Sequence, residues 1–300
     1  MISSALAIAA AFSWTCASLF GHAPARQLGS LHFNRLRMLA AFGLLILMMA
    51  GTDASWKLSV SHFLPVALSA LIGVVLGDYF LFVAMKRIGP RRTGILFASN
   101  APLAAILGWL VLDEHVTLLI AAAILICFAG ICLAIIYGKR RDLLHIWEEI
   151  TPPLWIGVGA GFLAALGQAA GVLLLRPVME AGADPLLASL VRVGLAGLVF
   201  WVILPVQKWM APATLPQRFW PGIQMSWMII ANGFFGLSFG VALLLKALEH
   251  GNVAQVTILS ATSPVMILPF IWYQTGKCPP AAAWAGAVLV VLSAAFLVGV

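Results

Sequence analysis

Apolar runs long enough to cross a lipid bilayer make up most of this sequence and limit the folds it can adopt. A helix rising about 1.5 Å per residue needs about 20 largely apolar residues to cross roughly 30 Å of hydrocarbon. Ten such runs predict membrane spans at 2–21, 33–51, 64–86, 93–112, 117–137, 154–175, 186–206, 226–248, 253–273 and 281–299. A β-barrel would show alternating segments of about ten residues instead. The sequence therefore predicts an all-α membrane protein with ten transmembrane helices.

The composition excludes several classes of protein. Apolar residues make up 63% of the chain, charged residues only 9%, and the mean hydropathy is +1.06. A soluble protein has about 25% charged residues, so this chain cannot cover a water-facing surface. The four cysteines show no CxxC spacing. A soluble globular enzyme, a disordered chain and a disulfide scaffold are all excluded.

The net charge of +7 comes from short clusters of Lys and Arg between the apolar runs. Such clusters beside spans are typical of membrane topology, so the lipid bilayer is the expected partner and nucleic acid is not. Thirteen Lys and Arg lie on the side of the odd-numbered connections, and four lie on the side of the termini. The positive-inside rule then places both termini outside the cytoplasm, in a multi-pass protein of the cell membrane. No basic segment precedes the first run, which predicts a retained span rather than a signal peptide.

Short polar segments separate the spans. One predicted break reaches from Pro24 to Arg37. The most polar stretch, residues 139–150, is predicted to be either a short interfacial helix or a solvated linker. We expect it to divide the chain into a first five-helix unit at 1–138, a linker at 139–152 and a second five-helix unit at 153–300.

The two halves share a faint internal repeat. Gly73, Gly77 and Ala84 correspond to Gly236, Gly240 and Ala247 at a constant offset of 163. Asn100-Ala-Pro102 corresponds to Ser263-Pro264 at an offset of 162, and Arg37 corresponds to Arg192 at an offset of 155. Because five is an odd number of spans, the second copy enters the membrane upside down. Inverted repeats of this kind are typical of secondary transporters, whose substrate site lies near the bilayer midplane.

These segments resemble the EamA-like members of the drug/metabolite transporter superfamily. The matching segments are Ala84-Met-Lys86, Asn100-Ala-Pro102, Leu112-Asp-Glu114, Ala247 to Gln255, and Thr262-Ser-Pro264. The resemblance covers nearly the whole chain and implies ten spans in two five-helix units. It also implies cytoplasmic termini, opposite to the charge bias, and both orientations stay open. The acidic counterpart of Glu114 that the resemblance implies is replaced by Gly276.

Two motifs have a structural explanation that we favour over a catalytic one. Gly236-Leu-Ser-Phe-Gly240 matches GxSxG, but its serine lies within a predicted membrane helix rather than on a strand-to-helix turn. Its glycines instead predict close packing between helices. Asp113-Glu-His115 is more typical of a solvated helix cap than of a metal site. No P-loop is present. We therefore expect no catalytic residue, metal or cofactor.

Asp78 is the only acidic residue deep within a predicted span. A carboxylate there costs about 2.5–3.5 kcal/mol unless it is neutralised, paired or hydrated. It is either a protonatable site that couples transport to a proton gradient or a structural partner for a basic group such as Lys86, Arg192 or Lys246. Arg192 in turn either receives a substrate carboxylate or extends to the lipid headgroups.

The other candidate residues are polar or break helices. Each polar one either contacts substrate or hydrogen-bonds a neighbouring helix. The substrate-pathway candidates are Trp14, Asp78, Tyr79, Asn100, Gln168, Arg192, Asn232 and Gln255. Pro102 and Pro264 are predicted to break spans four and nine, which marks them as pointers to the transport path.

Together these features predict a secondary transporter that exports or exchanges small metabolites or drug-like solutes by alternating access. Its driving force is a proton or solute gradient, so a small-molecule substrate and protons join the bilayer as expected partners. Whether the chain forms a homodimer is left open. The alternative is a lipid scramblase or flippase subunit, which would favour a lateral groove lined by polar residues over an enclosed pocket.

Overall fold

The computed structural model describes residues 2–137, 153–205, 209, 220–276 and 278–299, and these residues form helices without a strand. Ten helices form the bundle. Among the described residues, nine are long and apolar enough to cross a membrane, and the apolar part of the tenth is shorter. They are α1 (Ile2–Leu28), α2 (Ser30–Ala50), α3 (Val60–Gly89), α4 (Arg92–Leu112), α5 (Leu118–Tyr137), α6 (Leu154–Glu180), α7 (Pro185–Val202), α8 (Ile223–Leu248), α9 (Val253–Tyr273) and α10 (Ala281–Gly299). The predicted all-α fold with ten spans is confirmed.

The main difference from the predicted boundaries lies between α1 and α2. Helix α1 continues through Pro24 to Leu28, so the break predicted from Pro24 to Arg37 is wrong. A single residue, Gly29, separates the two helices, and its φ of 77° lies in the left-handed region that glycine adopts without strain. Proline is tolerated inside membrane helices because neighbouring groups satisfy the freed backbone.

The central linker is only partly described. The interfacial helix or solvated linker predicted at residues 139–150 lies outside the described residues. The division of the chain at 138 and 152 therefore stays a prediction.

Local distortions recur at matching positions in the two halves. Helix α3 contains a π-helical turn at Ala70–Leu76, and α8 contains one at Phe234–Phe239. Gly73 and Gly236, which are 163 positions apart, lie inside these turns. The matching turns place α3 and α8 in equivalent positions of the repeat.

The ends of α4 and α9 correct one detail of the repeat. Both helices end on a residue with a left-handed backbone, at Asp113 with φ 52° and at Gly276 with φ 65°. These residues are also 163 positions apart. Gly276 therefore corresponds to Asp113, not to Glu114, and the position that corresponds to Glu114 is 277, outside the described residues.

Small residues let the helices approach closely, as the glycine pattern predicted. A Cβ atom on Gly171 of α6 would lie 2.8 Å from the Cα atom of Gly73 on α3. A Cβ atom on Gly130 of α5 would lie 2.7 Å from the carbonyl oxygen of Gly286 on α10. These crossings join α3 to α6 and α5 to α10, where any side chain larger than hydrogen would push the backbones apart.

Candidate substrate pathway

A central cavity of about 170 Å³ lies where the two repeats meet. Residues of α1, α4, α5, α6, α8 and α9 line it, and most of the lining is apolar. Its polar lining residues are Trp14, Asn100, Gln168, Thr257, Ser260 and Ser263. The cavity is smaller than the roughly 300–1,000 Å³ of pockets for drug-sized ligands.

The cavity adjoins a break in α4. The helical hydrogen-bond pattern is interrupted at Ser99, whose hydroxyl donates to the carbonyl oxygen of Leu96 at 2.6 Å. The Asn100 amide nitrogen donates to the carbonyl oxygen of Phe97 at 2.7 Å. Pro102 has no N–H to donate to the carbonyl of residue 98. The interruption lies three residues before Pro102, the residue predicted to break this span.

An equivalent break interrupts α9 on the other side of the cavity. Its first segment ends at Ser260, and the chain turns at Ala261 before Pro264. The Thr262 hydroxyl donates to the carbonyl oxygen of Leu259 at 2.8 Å, as Ser99 does to Leu96. Ser99 and Thr262 are 163 positions apart, so the two breaks are related by the repeat although the prolines are one position out of step.

Three of the predicted pathway residues line the cavity. They are Trp14, Asn100 and Gln168, and the helix-breaking Pro264 joins them. The indole N–H of Trp14 donates to the carbonyl oxygen of Gly236 at 2.9 Å, which fixes the ring against α8.

Sequence reasoning missed the hydroxyl residues of α9 that line the cavity. They are Thr257, Ser260 and Ser263. The signal that points to them is their position, since all three lie within seven residues before Pro264.

Three predicted pathway residues lie elsewhere. Tyr79 is 54% exposed on α3, with its ring against Phe80. The Asn232 amide nitrogen donates to the carbonyl oxygen of Ala17 at 2.7 Å, so it joins α8 to α1. Gln255 lies on α9 and does not line the cavity. A role for these residues in transport stays a prediction.

Asp78 takes part in a polar cluster between α2 and α3. Its carboxylate accepts a hydrogen bond from the Asn34 amide at 2.7 Å and lies 3.3 Å from the Arg37 guanidinium. The Nε of Arg37 also donates to the Asn34 side-chain oxygen at 2.7 Å. The carboxylate is only 18% exposed.

The direct partner of Asp78 was not among those predicted. Lys86 is exposed, and Lys246 pairs with Glu249 at 2.8 Å. Arg37 takes this role from α2, which begins at Ser30 rather than at the predicted 33.

Arg192 lies close to this cluster and forms no ion pair of its own among the described residues. It is 3% exposed on α7, and its charge acts on Asp78. One guanidinium nitrogen occupies the space beside Gly73, 2.8 Å from where a Cβ atom would be. The Nε atom has no hydrogen-bond partner within the described segments. Arg192 therefore lies over the α3–α6 glycine crossing and is not extended toward lipid headgroups.

A second polar network joins the two repeats at the opposite end from the basic clusters. The Glu114 carboxylate accepts from the backbone N–H of Val253 at 2.8 and 3.0 Å, which caps the start of α9. It also lies 3.7 Å from the Nε of Arg176 on α6. Arg176 donates to the carbonyl oxygen of Leu248 at 2.6 Å. We call this end of the bundle the Glu114 face. The opposite end, where the odd-numbered connections carry most of the Lys and Arg residues, is called the basic face.

The GxSxG motif at Gly236–Gly240 and the Asp113-Glu-His115 motif make packing and capping contacts, as the structural interpretation of both motifs requires. Ser238 is fully buried, and its hydroxyl lies 3.2 Å from the carbonyl oxygen of Ala41 on α2. Glu114 caps α9 as described above. Within the described ranges, no three His, Cys, Asp or Glu side chains converge as metal ligands.

Comparison with known proteins shows which family the chain belongs to. The model of the EamA-like transporter family matches residues 1–136 and 155–299. The chain belongs to the EamA-like transporter family. This EamA-like protein is also similar to a solved structure, described as a crystal structure of a protein, with a TM-score of 0.77 and 16% identity. The match covers 98% of this chain and 94% of that chain, and at this identity it shows the fold alone. No curated protein matches the sequence.

Proposed function

We propose that this EamA-like protein is a secondary transporter that exports or exchanges small solutes across the cell membrane by alternating access. The cavity at the meeting point of two repeat-related helix breaks carries the proposal. Broken helices at the repeat interface place polar groups and freed carbonyls at the midplane, where secondary transporters bind their substrates. Membership of a transporter family supports the same role.

The packing supports a state that opens toward the basic face. At the Glu114 face, the Glu114–Val253 and Glu114–Arg176 contacts join elements of both repeats. The Ser3 hydroxyl adds a 2.6 Å hydrogen bond to the carbonyl oxygen of Ala247. The cavity lining instead includes Gly94 and Phe97 before the α4 break, on the basic side. If the charge bias sets the topology, this is the cytoplasm-facing state.

Proton coupling through Asp78 is part of this proposal. A proton on the Asp78 carboxylate would remove the charge that holds Arg37 at 3.3 Å, so protonation and helix movement are linked at this contact. The alternative, a structural ion pair, is separated from it by the Asp78 variants described in the Discussion.

The lipid scramblase alternative is less well supported. A scramblase requires a polar groove that faces the lipid, whereas the polar residues here line a cavity surrounded by six helices.

The test uses purified protein in liposomes loaded with a mixture of small metabolites under an imposed pH gradient. We expect one or a few solutes to be depleted or accumulated relative to protein-free vesicles, measured by mass spectrometry. A parallel set of vesicles carries a fluorescent phospholipid in one leaflet. If the labelled lipid equilibrates while every solute stays unchanged, the transporter proposal fails and the scramblase is supported.

A further inference from the structure

The Thr257 hydroxyl is the strongest indication that the central cavity binds a ligand. Its side chain lines the cavity, is 3% exposed, and has no hydrogen-bond partner for its hydroxyl oxygen within the described chain. Leaving a buried hydroxyl unpaired is unfavourable, because the group loses its hydrogen bonds to water without gaining others. The neighbouring hydroxyl of Ser260 differs, because it donates to the carbonyl oxygen of Thr257 at 3.0 Å. Thr257 is thus a polar group at the cavity wall that a ligand would satisfy.

Two amides on the other walls also keep hydrogen-bonding capacity. Asn100 uses only its amide nitrogen, toward Phe97, which leaves its side-chain oxygen as an acceptor. The Gln168 amide lines the cavity and makes no hydrogen bond within the described part of the chain. With Thr257, these groups offer both donors and acceptors around an otherwise apolar space that includes Trp14 and Phe97. Such walls complement a solute with an amide or hydroxyl group on an apolar body.

Among the residues that the structure describes, no ionisable side chain lines this cavity. The nearby charged groups contact one another elsewhere, Asp78 with Arg37 and Glu114 with Arg176. Burying a charged group without an ionic partner is far more costly than burying a hydrogen-bonded neutral group. The cavity therefore disfavours a carboxylate or an ammonium group relative to a neutral group of the same size.

We propose that the central cavity selects small uncharged solutes bearing an amide or hydroxyl group, and that Thr257 contacts the bound solute directly. This inference rests on the proposed transport function, since it names the class of substrate for the same site. The solute is smaller than a drug-sized molecule because the cavity measures about 170 Å³.

The test compares three probes of nearly equal size and different charge. Radiolabelled benzamide, benzoate and benzylammonium are equilibrated with the purified protein in detergent at neutral pH, and saturable binding is measured by dialysis. We expect benzamide to bind at least about tenfold more tightly than either charged probe, because only the neutral amide avoids the cost of burying a charge. Equal or tighter binding of a charged probe, or no saturable binding of benzamide, overturns the proposed selectivity.

Variants separate a ligand contact from a structural role. Thr257→Val removes the hydroxyl at nearly constant shape and is expected to raise the Kd for benzamide about five- to tenfold. Thr257→Ser keeps the hydroxyl and is expected to keep the affinity. Thr93→Val is the matched control, since the Thr93 hydroxyl is buried but donates to the carbonyl oxygen of Gly89 at 2.8 Å, outside the cavity. Because the Thr257 hydroxyl has no partner, Thr257→Val is expected to leave the thermal midpoint unchanged or higher.

An unchanged Kd in Thr257→Val, or an equal loss in Thr93→Val, removes Thr257 from the site. Binding and transport are read out separately. Charge-selective binding of benzamide without any solute flux in liposomes contradicts the transporter proposal and leaves the site intact. Flux of a metabolite together with preferred binding of benzoate contradicts the inference and leaves the transporter intact.

Discussion

The contact between Asp78 and Arg37 shows how a single pair of residues can link charge to helix position. Asn34 contacts both side chains, donating to Asp78 at 2.7 Å and accepting from Arg37 at 2.7 Å. Asp78 belongs to α3 and the other two to α2, so the cluster joins the second and third spans. Arg192 adds a second positive charge close to the same carboxylate.

Asp78→Asn keeps the shape of the side chain and removes its charge. If Asp78 is the coupling site, we expect the variant to lose solute accumulation driven by a pH gradient while keeping solute counterflow, which needs no proton. The two activities are measured on the same liposomes, with a solute that the metabolite-mixture test shows to be transported. Asp78→Glu, which keeps the charge, is the control and should retain part of the driven accumulation.

A loss of both activities in Asp78→Asn, together with a lower thermal midpoint, would assign Asp78 a structural role. Removing one partner of a buried pair leaves the other charge uncompensated, and the cost is several kcal/mol at full burial. That cost is smaller here, because the Arg37 and Asp78 side chains are 21% and 18% exposed. Unchanged transport in both assays would exclude Asp78 from the mechanism.

Sequence reasoning at the residue scale identified Asp78 but not its partner. The rotation of a helix cannot be derived from periodicity when apolar residues surround it on all sides. Thr257 was missed for the same reason, since its hydroxyl faces the cavity only because of how α9 is rotated. Arg176 was missed because its partners, Glu114 and the Leu248 carbonyl, come from distant parts of the chain.

At the scale of helices, the glycine crossings determine how close the spans lie. The Cβ of an alanine at Gly171 would lie 2.8 Å from the Cα of Gly73 and 3.2 Å from a guanidinium nitrogen of Arg192. Neither neighbour is free to move far, because one is backbone and the other is a buried cation. The α3–α6 crossing therefore depends on the absence of a side chain at Gly171.

Gly171→Ala is expected to lower the free energy of unfolding by about 1–3 kcal/mol, the usual cost of overpacking. Gly159→Ala on the same helix is the matched control, since a Cβ atom there would meet nothing within 4 Å. The measurement is thermal unfolding of both variants in the same detergent. Equal midpoints for the two variants would contradict the tight crossing.

The existence and order of the helices were predictable, whereas two local features were not. Length and hydropathy alone predicted every span. The continuation of α1 through Pro24 was not predicted, because a proline and the polar residues after it normally mark a break. The π-helical turns at Ala70–Leu76 and Phe234–Phe239 have no sequence pattern that distinguishes them from ordinary apolar helix.

At the scale of the whole molecule, the alternating access that we propose requires the Glu114 face to open. Spans α4 and α9 approach each other there, with Gly108 of α4 facing Val253 at the start of α9. A Cβ atom on Gly108 would lie 3.6 Å from the Cβ of Val253, within the usual range for a disulfide of about 3.5–4.5 Å. A disulfide at this position would join the two repeats at the face that must separate.

The double variant Gly108→Cys/Val253→Cys is expected to lose transport when oxidised and to regain it on reduction. Solute flux in liposomes is measured with and without a reducing agent. The single variants are the controls, and they also report the effect of displacing the Glu114 carboxylate, which lies 2.7 Å from the new Cβ at Gly108. Full transport by the oxidised double variant would show that this face stays closed during the cycle.

The one-residue connection at Gly29 has a further mechanical consequence. A single glycine leaves no slack between the end of α1 and the start of α2. Tilting α1, which carries Trp14 at the cavity wall, must therefore displace the first turns of α2, which lead to Asn34 and Arg37. We therefore expect α1 and α2 to move together, so that a shift of α1 at the cavity would also displace the contact between Arg37 and Asp78.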